Sequence, residues 1–315
     1  MRTVHTEGGA IDIGRHVFPT AKYGLIRAAL VARGLAGHAE FVPAPAATWD
    51  ELALVHTPQW LARLRDLPLS LQDVARLELP VTRETVDGFR QMCGVTVAAA
   101  RYATSDGLSL ALGGGLHHAF ADHGEGFCMF NDVAVAVRVL QREGLITRAA
   151  IVDLDVHHGN GTAAIFSGDP QVLTFSMHQW NNYPAEKPAS TIDVHLPDAT
   201  TDADYLGHLG DALPAVIAHR PDLVIYLAGA DPYDDDQLGG LSLSQAGLRE
   251  RDRTVLGTMR RAGIPVAVTL AGGYARRTDD TVAIHVATVE EAIAHAGPAS
   301  GPTSASRSPS PSSDR

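Results

Sequence analysis

The chain is short of cysteine, holding only Cys93 and Cys128 among 315 residues. Two isolated thiols make neither a disulfide framework nor a thiolate zinc site, and a reducing, cytoplasmic compartment is the default expectation. Long apolar runs are also missing. No uninterrupted stretch approaches the ~20 residues of a membrane span. The opening Met1-Arg2-Thr3-Val4-His5 soon meets acid, glycine and proline instead of the apolar core of a signal peptide. Basic residues are outnumbered, 25 Lys and Arg against 36 Asp and Glu, for a net charge of -11. Holding nucleic acid by its phosphates takes clustered Lys and Arg, so neither nucleic acid nor a membrane is an expected partner.

What remains is an ordinary globular composition, 45% hydrophobic and 19% charged, sufficient for a packed core. Short, continuous, often β-branched runs at 108–112, 149–154, 172–176, 223–228 and 266–271 suit strands buried on both faces. Amphipathic stretches at about 83–104, 131–143, 203–219, 244–262 and 280–294 lie between or beside them. Thr57-Pro58 reads as an N-cap followed by proline in the first turn of a helix over 58–66. Strands separated by helices predict right-handed crossovers and one doubly wound sheet, with 1–296 as a single domain. Residues 297–315, GPASGPTSASRSPSPSSDR, carry almost no apolar content and read as a disordered Ser/Pro-rich tail.

The polar clusters fall just after the predicted strands. Gly113-Gly114-Gly115-Leu116-His117-His118 follows the first and Asp153-Leu154-Asp155-Val156-His157 ends the second. Gly229-Ala230-Asp231 follows the fourth and Gly272-Gly273-Tyr274 the fifth. Sites in open α/β sheets form outside the carboxyl ends of the strands, so these groups are expected to converge. Asp153, Asp155 and His157 are spaced by two, and alternate residues of extended chain share a face. Asp155, His157 and the distant Asp231 then make three O/N ligands with an open position, the arrangement of a catalytic zinc site. Two carboxylates and an imidazole also suit iron(II) or manganese. A binuclear centre with Asp-x-His-x-Asp and Asp-x-Asp patterns would need acids at 159 and 233, where Gly159 and Tyr233 stand. Asp234 to Asp236 read as a solvated charged face.

Histidine suits proton transfer near neutral pH, and His117 and His118 follow glycines that let the backbone approach the site. Tyr274 could place a phenol against a developing oxyanion. Phe127, Trp180 and Tyr183 are aromatic candidates for an apolar acyl channel. His38, His178, His195 and His208 read as structural.

Together, GGGLHHA (113–119), GEGFCMFND (124–132), IVDLDVHHGNGT (151–162), SMH (176–178), AGAD (228–231) and AGGY (271–274) resemble the zinc-dependent histone deacetylase family. HVFPTAKY (16–23), DDDQLGGLSLSQAGLRERD (234–252) and AGGYARRT (271–278) look like its class IV branch and bacterial relatives. The resemblance implies an arginase-like three-layer α/β/α fold with a central, mainly parallel sheet. It implies zinc on Asp155, His157 and Asp231, His118 as general base and acid, His117 as its electrostatic neighbour, and Asp153 as the acid behind the site. Tyr274 would polarise the carbonyl. The Gly126 carbonyl would accept the substrate amide, and Phe127 and Tyr183 would wall the tunnel. A structural potassium ion is implied at Asp153, Asp155, His157, Ser176 and Met177. Where the family often has Asp after HHG, this chain has Asn160. The implied activity is metal-dependent deacylation of a protein lysine. Deacetylation of a small acylated amine such as an acetylpolyamine, or a non-catalytic acyl-lysine-binding relative, are the other readings.

Overall fold

The structure is a computed structural model that describes residues 1–6 and 11–296; the predicted Ser/Pro-rich tail lies outside the described residues. Among the described residues eight strands form one sheet: β1 (Arg2–Thr6), β2 (Glu40–Ala44), β3 (Leu108–Ala111), β4 (Ala149–Asp153), β5 (Val172–Gln179), β6 (Ile192–Leu196), β7 (Leu223–Leu227) and β8 (Val266–Thr269). Their order is β2-β1-β3-β8-β7-β4-β5-β6 and every pairing is parallel. The helices are α1 (Lys22–Ala32), α2 (Trp49–Leu52), α3 (Pro58–Asp66), α4 (Leu71–Leu77), α5 (Arg83–Asp106), α6 (Asp132–Arg142), α7 (Asn160–Ile165), α8 (Asp202–Ala218), α9 (Gln245–Arg261) and α10 (Thr278–His295). None is long and apolar enough to cross a membrane.

The period of two along the central strands divides the core. Ala149, Ile151, Leu223, Ile225 and Leu227 pack under α5 and α6 on one face. Ala150, Val152, Val224, Tyr226, Val266 and Val268 pack against α1, α8, α9 and α10 on the other. Each strand is therefore apolar on both sides, as a parallel sheet covered by helices requires. The sequence-predicted strands and helices all form. β5 runs three residues further than expected, to Gln179. Thr57 caps α3 by accepting from the Trp60 amide, with Pro58 in the first turn.

The four strands whose ends carry the polar clusters, β3, β8, β7 and β4, are neighbours at the centre of the sheet. Their carboxyl ends thus open onto one crevice. Behind it, buried His56 joins two of the surrounding loops. Its Nδ1–H donates to the Phe120 carbonyl (3.1 Å), and its Nε2 accepts from the Asn131 amide (3.0 Å). Asn131 in turn caps α6.

Protonating His56 would destroy its acceptor, and burial pushes its pKa from an ordinary 6.5 down to about 4. The unfolded chain therefore binds this proton first as pH falls. The stability His56 contributes is complete above about pH 6.5 and drains away down to about pH 4. The full loss is about 3 kcal/mol on this account. Denaturant titrations of wild type and His56→Gln across that window should give a steeper acid loss in wild type. Parallel pH curves would reject the assignment.

Candidate metal-dependent active site

The loop after β3 turns through Gly113, Gly114 and Gly115, all at positive φ (148°, 79° and 78°). This conformation is open to glycine and strained for other residues. Its turn is pinned by the buried Asp132 carboxylate, which accepts from the Leu116 amide (2.6 Å) and the Gly115 amide (3.0 Å). The chain then delivers His117 and His118 into the crevice, both buried. His117 Nδ1–H donates to Asp153 Oδ2 (2.7 Å), and its Nε2 lies 3.1 Å from His118 Nε2. Burial opposes charge on His117, but Asp153 and Asp155 outweigh it and hold the pKa up at about 9. His118 is pushed well below its ordinary value by burial and by the neighbouring His117 and His157. One histidine is thus held in favour of its charged form and the other neutral, the polarity an acid–base pair needs.

Asp155, His157 and Asp231 come together as expected, all buried, with their ligand-type atoms within 4.8 Å of one another. His157 Nδ1 lies 2.9 Å from Asp155 Oδ1 and 3.4 Å from Asp231 Oδ2. The outer oxygens are already committed: Asp155 Oδ2 accepts from the Gly272 amide (2.8 Å) and Asp231 Oδ1 from the Val156 amide (3.0 Å). Asp231 Oδ2 is buried without a hydrogen-bond partner. Burial and the nearby Asp155 push the Asp231 pKa up to about 7. Burial works against charge on His157 too, yet Asp155 and Asp231 hold it up at about 10. Two converging carboxylates and an orphaned oxygen make a donor set short of a cation, and these residues fit a divalent ion.

The two acids a binuclear centre would need at 159 and 233 are replaced by Gly159 and Tyr233. The Cβ of any side chain at Gly159 would meet Asp153 Oδ2 at 2.4 Å, and Tyr233 packs beside the core on the opposite face of the sheet. His158, His178 and Asp193 also gather ligand-type atoms within 4.8 Å. Both His178 nitrogens are already engaged, however, by Ser176 Oγ and by His195 Nδ1, each at 3.0 Å. Asp153 and Ser176 are register partners across β4 and β5, with buried Met177 following.

A channel of about 160 Å³ leads from the centre to the surface, lined by Glu78, His118, Gly126, Phe127, His157, Asn182, Tyr183, Leu238 and Tyr274. It is smaller than the ~300 Å³ lower bound of typical ligand pockets, so it suits one extended chain rather than a ring system. Gly126 and Phe127 both lie at positive φ (51° and 64°). Their amides are tied to the carbonyls of Arg76 and Leu77 in α4 (3.0 and 3.1 Å). A non-glycine residue held in this region marks strain that the surroundings impose.

Two sequence expectations are corrected. Trp180 is not on the channel; it is 54% exposed and its ring lies over His195. Asp236 does not belong to a solvated face. It is buried and accepts from the amides of Tyr274 (2.6 Å), Leu238 (2.8 Å) and Gly239 (3.0 Å), fixing the loop that carries Tyr274. The crossing of two loops buries it, and no local charge pattern announces that. Sequence reasoning also missed Glu78 at the channel mouth and Glu125 beside Asn160. It missed Lys22 as well, buried beneath the site with Nζ donating to the Ala271 carbonyl (2.7 Å). A lysine inside an otherwise apolar helix face was the available signal for the last.

The family model of the histone deacetylase domain matches residues 16–289. An uncharacterized protein of Picosynechococcus sp. is 41% identical over 276 residues, covering 86% of this chain and 90% of the relative. Histone deacetylase 2 of Arabidopsis thaliana is 32% identical over 282 residues, covering 85% of this chain and 72% of the relative. The crystal structure of the HDA15 HD domain aligns with a TM-score of 0.74 at 25% identity, over 92% of this chain and 90% of that one.

Proposed function

Since this chain belongs to the histone deacetylase family, we propose that it is a zinc-dependent amide hydrolase that frees an acyl group from a lysine side chain or a related amine. The observation that carries the reading is the narrow channel that reaches His157, His118 and Tyr274, with Asp155 and Asp231 gathered onto His157 behind it. Residues 1–296 would act as one catalytic domain. Its class IV-like features would be the segments 16–23, 234–252 and 271–278, which supply Lys22, Asp236 and Tyr274 beneath and beside the site.

The substrate's alkyl chain would lie between Phe127 and Tyr183, with the Gly126 carbonyl accepting its amide hydrogen. Asp155, His157 through Nδ1, and Asp231 would hold the ion, which when bound supplies Lewis-acid polarisation of water and of the amide carbonyl. His118 removes the proton of the attacking water through Nε2 and later gives it to the departing amine. His117, paired to Asp153, balances charge next to it. Tyr274 donates its phenolic hydrogen to the oxygen that gathers negative charge. A potassium ion at Asp153, Asp155, His157, Ser176 and Met177, held largely by backbone oxygens, would brace the ligand strand.

A small acylated amine is the second reading, and Glu78 favours it. This acid stands at the channel mouth, where a second ammonium of a polyamine would sit. The net charge of -11 would attract such a cation at low salt.

The test is a panel of lysine peptides carrying acetyl, butyryl, octanoyl and myristoyl groups, together with acetylputrescine and acetylspermidine, on zinc-loaded and chelated protein. We expect chelator-sensitive release confined to one acyl and amine class. Glu78→Gln should weaken the polyamine substrates more than the peptides if the second reading holds. Metal bound at one equivalent with no release from any substrate would replace the hydrolase by the non-catalytic binding relative.

A further inference from the structure

Glu125 lies between two glycines at the start of GEGFCMFND, and its carboxylate gathers side chains from three segments. Oε1 accepts from Asn160 Nδ2 (2.8 Å) and from the Tyr183 hydroxyl (3.0 Å), while Oε2 lies 3.6 Å from His123 Nε2. The nearby His123, together with the Asn160 and Tyr183 donors, lowers the Glu125 pKa despite burial, so the group is an acceptor only. Asn160 is almost fully buried, and its other end, Oδ1, lies 2.8 Å from His118 Nδ1.

These contacts form a chain of forced choices. A carboxylate cannot donate, so the amide end of Asn160 that faces Glu125 is the NH2. The end that faces His118 is then the carbonyl oxygen, which cannot donate either. His118 Nδ1 must therefore carry the hydrogen, and Nε2 is left with its lone pair. If the amide were reversed, Asn160 would donate to Nδ1, and the ring hydrogen would move to Nε2, the atom that must accept the proton. A carboxylate at position 160 would fix the ring unaided. An amide has two nearly isosteric ends and needs a third group to choose between them.

From this geometry we infer that Glu125 is a positioning residue which, by orienting Asn160, selects the Nδ1–H tautomer of His118 and leaves the lone pair of Nε2, which faces His117 Nε2 at 3.1 Å, to serve as the base. The inference rests on the reading of His118 as the base. It gives GEGFCMFND a role that neither tunnel walls nor metal ligands supply.

The test uses the full chain, zinc-loaded, with 15N-labelled histidine. The His118 ring signals are assigned by their loss in His118→Ala. Wild type should show the Nδ1–H pattern. Glu125→Ala should shift His118 wholly or partly to Nε2–H and lower kcat about 10- to 100-fold. Tyr183→Phe cuts only the other tether to Oε1 and should leave the ring signals unchanged. The decisive comparison adds Asn160→Asp. With Glu125 present, that change sets two carboxylates against each other. With Glu125→Ala, it leaves one acceptor-only group on Nδ1 and should restore both the tautomer and most of kcat. Glu125→Ala is thus harmful with asparagine at 160 and beneficial with aspartate there, a reversal that mere structural support would not produce. An unchanged tautomer in Glu125→Ala, a changed one in Tyr183→Phe, or equal harm in both backgrounds would overturn the inference. Full activity in His118→Ala would instead remove the base assignment and leave the tautomer result to stand or fall on its ring signals.

Discussion

Tyr274→Phe should lose about 10²- to 10³-fold in kcat, and His118→Ala about 10²- to 10⁴-fold, with melting temperature and metal content near wild type. The Tyr274 ring is held independently of its hydroxyl. Its amide donates to Asp236 and its carbonyl accepts from Gln237 Nε2 (2.8 Å). Its ring packs edge-on to Phe127, Phe18 and His157, at centroid distances of 6.2–6.4 Å. Removing the oxygen alone therefore leaves the loop and the channel wall in place. Burial and the Asp155 and Asp231 charges push the phenol pKa well above its ordinary value, so the hydroxyl remains a donor throughout any working pH range. Because that donor matters only once negative charge develops on the substrate oxygen, kcat should fall while KM barely moves. Steady-state kinetics with matched zinc analysis decide it. Near-normal kcat in both variants would remove these residues from the chemistry. A loss confined to KM would make Tyr274 a binding residue only.

How far the site could be read beforehand depended on whether each contact is local. Asp153, Asp155 and His157 announce themselves because strand periodicity puts them on one face and the apolar Leu154 and Val156 on the other. Asp231 and Tyr274 follow because each sits just past a buried run. The central strands β3, β4, β5, β7 and β8 are legible for the same reason. The edge and near-edge strands β1, β2 and β6 were not, since RTVHT, EFVPA and IDVHL are short and half-polar, and one contains proline. Asp236 and Glu125 were misread or missed because what defines each is a partner far away in sequence, Tyr274 and Asn160 respectively. Identical acids in a solvated loop would look the same in one dimension.

Arg251 belongs to this second kind, and its loss should cost the most stability of any single change discussed. It is fully buried in α9, on the face of the sheet opposite α5. Its Nη1 donates to the Gly229 carbonyl (2.5 Å) and to the Leu154 carbonyl (3.4 Å), and its Nε donates to Asp252 Oδ1 (2.9 Å). The remaining acceptor capacity of Asp252 is filled by the Tyr226 hydroxyl (2.5 Å) and Thr288 Oγ1 (2.6 Å). Arg251→Met would thus strand a buried carboxylate and two carbonyls just beyond β7 and β4. Breaking one partner out of a buried pair costs about 3–5 kcal/mol, or a fall of about 5–8 °C in Tm for a domain this size. The two carbonyls flank the chain that carries Asp155 and Asp231, so zinc retention in a chelator challenge should fall with the stability. Adding Asp252→Asn removes the stranded charge, keeps one acceptor oxygen for the Tyr226 hydroxyl, and turns an NH2 toward Thr288 Oγ1, which can accept it while donating to the Ile284 carbonyl; it should recover a substantial part of the Tm. An Arg251→Met protein as stable as wild type would mean the guanidinium contributes nothing to holding the ligand strands. Recovery of Tm without recovery of zinc would separate its two roles, since only the carbonyl contacts reach the chain that carries Asp155 and Asp231.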